Sequence, residues 1–406
     1  MRQVSTKGMP PGAWQRRGGQ RAAGLRWLPT SLSPKRAVLL AAVSAAAVCS
    51  AIAVWSAAHF EAVPLPAAAK ELILGALARA WARWDSGWYI YISGFGYTYS
   101  TGSQSPVAFF PGYPLAIRVI AQAGLDSVSS GFLITLCCGI LACWLFVRWA
   151  ATQVGSNLAM PAAMLLVLYP FAFYLYGAIY SDALLLALIA GAFLCLEQDA
   201  LIPATLLGAA ATFTRPVAPA VVLGLLIRQL ERRRRQGAPI RPADFLPLLA
   251  VAGLGFYMFF LWQRFGDPLA FLHVQAAPGW DQPPGWQTWL KLTWFRILFP
   301  RVAPLVAVRL VGHAVVAVGA LALVPATRRY LGWGYAVYVA LAVGLPTISS
   351  KDFMGLGRYV LSAFPVFLTL ALLMRDNPRL FRFWLLGSAL VLALLTAAWG
   401  AGGYVA

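Results

Sequence analysis

A chain of 406 residues that is 60% hydrophobic and only 11% charged, with a mean hydropathy of +0.71, falls outside the range of soluble domains, which carry about a quarter charged residues. Its formal charge of +19 does not point to nucleic acid, because the 32 Lys and Arg residues sit between apolar spans and read as topology signals. The five cysteines all fall inside apolar runs with no CxxC or Cys/His spacing, which makes them packing residues.

Residues 1–36 hold eight Lys and Arg and no acid, which predicts a disordered, basic cytoplasmic tail before a membrane domain at 37–400. The run 37–60 is too long for a signal-peptide core and predicts a first membrane helix directed outward. The stretch 61–130 then forms a large outer loop. Within it, Phe109–Leu125 is apolar but short and interrupted by Arg118, so it is either an interfacial helix or a crossing. Further spans are predicted at about 131–150, 158–180 and 182–198, then two short arms at 200–214 and 216–228 broken by Arg215-Pro216. The remainder are at 244–264, 302–324, 330–348, 357–374 and 381–400, about eleven in all. A second outer loop, 265–301, is rich in Trp. The charges fit this order: 20 of the 32 basic residues fall on the predicted inner side, and eight of the 13 acids fall outside. The cluster Glu231-Arg232-Arg233-Arg234-Arg235 is the strongest inner anchor.

Chemistry in such a chain belongs to the outer loops. In Arg83-Trp84-Asp85-Ser86-Gly87-Trp88-Tyr89, Asp85 is a carboxylate among aromatics near a membrane surface, suited to act as a base; alternatively it pairs with Arg83 or caps a helix. Asp182, in Tyr180-Ser181-Asp182, is a helix cap or a substrate contact. Arg215 lies midway along a 32-residue apolar stretch beside a proline break. A guanidinium there binds an anion such as a phosphate, or forms a salt bridge, with Asp182 as a candidate partner. Lys351 and Arg358-Tyr359 flank a predicted helix start, a second place for an anion. In the second loop His273 and Gln275 close the run that begins at Gly266-Asp267-Pro268, and Trp280, Trp286, Trp289 and Trp294 serve as headgroup anchors or sugar platforms. No Walker loop, GxGxxG, HExxH or GxSxG occurs.

Six of these segments stand in a telling order: Arg83-Trp84-Asp85-Ser86-Gly87-Trp88-Tyr89, Phe109-Phe110-Pro111-Gly112-Tyr113-Pro114, Tyr180-Ser181-Asp182, Thr214-Arg215-Pro216, Gly266-Asp267-Pro268-Leu269-Ala270-Phe271 and Gly357-Arg358-Tyr359. Together they resemble the bacterial relatives of GPI mannosyltransferase II, the PIG-V-like branch of the GT-C membrane glycosyltransferases. The resemblance spans about residues 80–375. It implies an all-α polytopic GT-C-like fold, and an enzyme that takes a sugar, usually mannose, from a polyprenyl-phosphate donor outside the cytoplasm. The reaction would be inverting, the acceptor a lipid or glycan, and the setting a bacterial inner membrane. It maps the catalytic aspartate to Asp85. Where the family commonly has Glu after Tyr-Ser, this chain has Asp182, one methylene shorter. Arg215, Arg358 and Lys351 are then expected at the donor phosphate. Arg83, Trp84, Tyr113, Tyr180, Asp182, His273, Gln275 and Tyr359 are expected around the substrates. Neither cofactor, metal nor nucleic acid is called for. A lipid flippase would share the helices and the buried arginine but would need no base in an aromatic loop.

Overall fold

The structure is a computed structural model that describes residues 33–60, 74–299 and 302–405. The predicted tail lies almost entirely outside these residues, as do Glu61 and Glu71 of the first outer loop. Every regular element among the described residues is helical. Five helices are long and apolar enough to cross a membrane: α1 (Pro34–Phe60), the span Ser127–Val154, the span Pro242–Phe265, the span Pro304–Leu331 and a last helix Pro378–Gly400. A bent pair, Leu356–Ser362 with Pro365–Met374, passes the same test together with an 87° turn between its halves.

All but one of the helices that carry the site are shorter. They are α2 (Ser86–Phe95), α3 (Gly112–Ala121), α4 (Ser127–Val154), α5 (Asp182–Glu197), α6 (Leu201–Thr214), α7 (Ala218–Arg235) and α8 (Ala252–Phe265). Beyond the second loop come α9 (Pro304–Ala322), α10 (Trp333–Ser349), α11 (Leu356–Ser362), α12 (Pro365–Met374) and α13 (Pro378–Gly400). At 1.5 Å per residue the ten residues of α3 reach only about 15 Å, too short to cross alone. The break at Arg215-Pro216 falls where expected: α6 stops at Thr214, Arg215 is extended (φ −155°, ψ 160°), and α7 starts at Ala218.

Two expected spans are interrupted, each at a proline. The helix expected over 158–180 ends at Val167, ahead of Pro170, and Ala172–Leu175 forms a short 3₁₀ turn. The span expected over 357–374 kinks sharply before Pro365. Both interruptions lead aromatic or charged side chains into the interior, as described below.

α1 and α13 run in the same direction. Thr396 Oγ1 meets Cys49 Sγ at 3.8 Å, and Ser56 donates to the Ala397 carbonyl at 2.7 Å. The basic starts of both helices, Arg36 and Arg379, therefore share one end of the molecule. α5 serves as a ruler between the two ends of the fold. Its first residue, Asp182, meets Arg215, and its last, Glu197, meets Arg228 at 2.6 Å. Around Glu197 lies a dense ionic network. Arg232 pairs with Asp199 at 2.7 Å, Arg233 with Asp244 at 2.8 Å, and Glu231 accepts from the Trp333 and Gly334 amides at 2.6 and 3.0 Å. The arginine cluster and the Asp182 group are thus at opposite ends of α5.

Candidate active site

Asp85 stands at the entry to α2, after a strained turn: Trp84 is held at φ 53°, a left-handed conformation that costs a bulky residue free energy. The carboxylate does not cap the helix. Its backbone N–H donates to the Tyr180 hydroxyl at 3.0 Å, and its Oδ2 faces Nη1 and Nη2 of Arg358, each at 3.4 Å. Those are long contacts for a charge-assisted pair, and the Asp85 side chain remains 26% exposed. The neighbouring Arg83 is buried and donates to the Gly400 carbonyl at 2.9 Å.

A second acid–arginine pair lies behind the first. Arg215 Nη1 reaches Asp182 Oδ1 at 2.5 Å, so of the two readings of Arg215 the salt bridge is the one formed. Asp182 begins α5 without capping it. The ring of Tyr359 joins the pairs, with the Arg215 guanidinium 4.4 Å above its centroid and that of Arg358 at 5.3 Å. Arg358 also lies 4.9 Å from the Tyr180 ring and 5.7 Å from that of Tyr174. Among the described residues, no hydrogen-bond partner reaches Asp182 Oδ2, Arg358 Nε or the Tyr174 hydroxyl, all buried. Three buried polar atoms near the Asp85–Arg358 pair thus lack a partner among those residues.

The backbone brings these groups together through two close approaches. A Cβ on Gly112 would lie 2.4 Å from Thr214 Oγ1, so α3 abuts the end of α6 just ahead of Arg215. A Cβ on Gly357 would lie 2.3 Å from the Phe171 ring, which lets the turn bearing Arg358 press onto the 3₁₀ segment. Gly357 is further pinned through both its polar groups. Its carbonyl accepts from Tyr169 at 2.8 Å, and its N–H donates to His313 Nδ1 at 3.0 Å.

The other expected site residues fall into three places. Tyr180 is buried beside Asp85, and Trp84 is half exposed, donating to the Gly403 carbonyl at 3.1 Å. Tyr113 is fully buried with its hydroxyl on the Gly131 carbonyl (2.8 Å) and Thr135 (2.6 Å), one ring removed from the site through Tyr89. His273 and Gln275 belong to the second loop, and Lys351 reaches that loop from the segment after α10. Lys351 donates to the Trp280 carbonyl at 3.1 Å, with Asp281 at 3.5 Å. His273 sits 2.7 Å from Asp267, and Gln275 donates to the Phe271 carbonyl at 3.4 Å. Burial alone would raise the Asp267 carboxyl, but hydrogen bonds from His273 and the Leu269 amide hold it below its ordinary value. Trp280 brings this loop to the first one, with its ring 6.0 Å from both Trp88 and Phe109.

A groove of about 640 Å³ runs between α2, α3, α6 and α8, lined by Ile92, Pro111, Pro114, Phe213, Phe256 and Phe260 and by none of Asp85, Asp182, Arg215 and Arg358. Its walls are elements that end in site residues: Asp85 precedes α2 and Arg215 follows α6. Arg118 is its one charged lining residue and donates to the Ser93 and Ile92 carbonyls at 2.6 and 3.2 Å. Among the described residues, no cluster of three or more His, Cys, Asp or Glu stands close enough to hold a metal ion. His313 went unread in the sequence. It lies in an apolar run with no motif around it, and only its contact with the Gly357 amide gives it meaning.

These features define a multi-pass membrane protein with one accessible carboxylate facing arginines at one end of its helices. Residues 54–232 match the family model of the mannosyltransferases (PIG-V). No curated protein matches the chain. Among solved structures it is similar to the oligosaccharyltransferase of Archaeoglobus fulgidus in its apo form, with 14% identity, 90% of this chain covered and a TM-score of 0.43. It is also similar to the archaeal oligosaccharyltransferase AglB of the same organism, in complex with an inhibitory peptide and a dolichol-phosphate, with 12% identity, 92% covered and a TM-score of 0.49. The chain spans 56% of the length of each.

Proposed function

We propose that this chain is a GT-C-type membrane mannosyltransferase that transfers a sugar from a polyprenyl-phosphate donor to a lipid or glycan acceptor outside the cytoplasm. The observation that carries the reading is the partly exposed Asp85 carboxylate opposite the Arg358 fork, beside buried polar atoms that lack partners. Asp85 takes the proton from an acceptor hydroxyl, the resulting oxygen attacks the sugar's anomeric carbon, and the carbon–oxygen bond to phosphate breaks. The polyprenyl phosphate departs with the bonding electrons, its charge met by Arg358. A single displacement inverts the anomeric centre, so a β-linked donor gives an α-product.

The prepaid leaving group explains why no nucleotide fold is needed. Arg215 holds Asp182 and, through Tyr359, braces Arg358. Lys351 stands at the rim of the same turn, tied to the second loop. The apolar groove between α2, α3, α6 and α8 accommodates the isoprenoid chain, in keeping with pockets of about 300–1,000 Å³ for small-molecule ligands. The arginine-rich end faces the cytoplasm by the positive-inside rule, which sets Asp85 at the outer face of a bacterial inner membrane.

The test uses purified protein in detergent, a synthetic prenyl-phosphate mannose and a cell-envelope lipid extract. Asp85→Asn keeps the size and most of the hydrogen bonding of the side chain, so donor binding survives while turnover falls about 10²- to 10⁴-fold. Near-parental transfer by well-folded Asp85→Asn would remove Asp85 from the mechanism. A parent that transfers no sugar but translocates lipid in liposomes would replace the enzyme with a flippase.

A further inference from the structure

We propose that the turn at residues 401–405 and His313 form a positioning device that sets the distance between Asp85 and Arg358, an inference that rests on reading those two as the reacting pair. The turn follows α13 and touches both halves of the site. On the Asp85 side, Arg83 donates to the Gly400 carbonyl at 2.9 Å and the Trp84 indole N–H to the Gly403 carbonyl at 3.1 Å. The Trp84 ring meets Tyr404 edge-on at 4.9 Å. On the Arg358 side, Arg309 donates to the Tyr404 carbonyl at 2.7 Å, with its guanidinium 5.6 Å from the Tyr404 ring.

His313 closes the circuit. Its Nδ1 accepts from the Gly357 N–H at 3.0 Å, so in this tautomer the proton sits on Nε2, and the backbone of Val405 adjoins the ring. The imidazole is 2% exposed and lies 5.0 Å from the Phe171 ring, the same ring on which Gly357 rests. An unbroken path therefore runs from Asp85 through Trp84, Tyr404 and Val405 to His313, Gly357 and Arg358, and back to Asp85 across the 3.4 Å gap. Arg309 and Arg358 are the charged groups facing His313 from α9 and α11, and neither supplies an acceptor for the Gly357 amide. Only the imidazole does so here. The device acts on geometry: a guanidinium fork displaced by about 1 Å no longer meets both the carboxylate and a departing phosphate.

Two measurements on the full chain test this, one of them independent of activity. In hydrogen exchange, His313→Leu removes the acceptor, and the amides at 356–359 exchange about tenfold faster, the equivalent of one ordinary hydrogen bond. Tyr404→Ala, a change at a side chain 41% exposed, speeds the same amides through the circuit, whereas Tyr404→Phe leaves them as in the parent. In transfer assays His313→Leu lowers kcat by roughly 10- to 100-fold, and His313→Asn, whose carbonyl can accept from the Gly357 amide, recovers most of it. In an Arg358→Lys background the same His313→Leu change costs less than about threefold, because both substitutions spoil one contact.

Additive losses in that background, or equal losses for His313→Asn and His313→Leu, would reduce His313 to a core residue and overturn the proposal. Unchanged exchange at 356–359 in Tyr404→Ala would do the same for the turn. If the parent transfers no sugar, the functional reading fails by itself, and hydrogen exchange still decides whether the circuit exists.

Discussion

Asp182→Asn leaves Arg215 buried without its counter-charge, and removing one partner of such a pair costs about 3–5 kcal/mol. Thermal unfolding in detergent should therefore drop well below the parent for Asp182→Asn. Arg215→Lys, which keeps the charge but loses the planar face stacked on Tyr359, should unfold between the two. Asp85→Asn should unfold with the parent, because its contacts are long and partly solvated. A parental unfolding profile for Asp182→Asn would mean that solvent reaches the pair. For Asp85 the sequence left a base, a helix cap and a pairing with Arg83 as readings, and the structure shows no side-chain cap. For Arg215 the sequence left two readings, and the ion pair was one of them. The sharing of Tyr359 between two guanidiniums was not legible, since Arg215 and Arg358 are 143 positions apart and only packing brings them to one ring.

At the level of elements, prolines did the signalling. Pro216 and its break could be read because an arginine stood beside it in an apolar stretch. Pro170 and Pro365 sit in stretches apolar on both sides, where composition does not change as the helix stops. The expected spans therefore ran straight through the segment that delivers Phe171 and Tyr174 to the site. The second loop also hides a titration. Lys291, 6% exposed and in a left-handed conformation, donates to the Ser350 carbonyl and lies 5.5 Å from the Phe353 ring. Burial pushes its amine down to about 8, with the Asp352 charge working the other way. The unfolded loop then binds the proton more tightly than the docked one, so docking strengthens as pH rises from about 8 towards the ordinary lysine value and is flat below. Protease protection of the 285–299 stretch should show that slope in the parent and lose it in Lys291→Met. A slope that survives in Lys291→Met would assign it to another group.

For the whole molecule, the two ends of α5 carry separate charge clusters. Glu197, Asp199, Arg228, Arg232, Glu231 and Asp244 gather at one end of α5, and the Asp182–Arg215 pair closes the other. Single cysteines placed near Arg234 and near Gln282, in a background with the native cysteines replaced, should be labelled from the cytoplasmic and the outer side respectively. Labelling of both from one side would break the proposed orientation. The sequence could not convey how unequal the helices are. α1 has 27 residues and α4 has 28, whereas α5, α6 and α10 have 16, 14 and 17.

Those short helices reach about 24, 21 and 26 Å, against a hydrocarbon layer of about 30 Å. α5 is enclosed by protein, whereas α6 exposes Ile202 and Leu206 and α10 exposes Leu345 and Ile348. Lipid meeting those two helices matches their shortfall of about 4–9 Å by thinning or by tilt, at modest cost. On the function proposed above, thinning on that flank shortens the way from the headgroup layer to Asp85, so the thickness of the host membrane bears on how readily a donor phosphate reaches it.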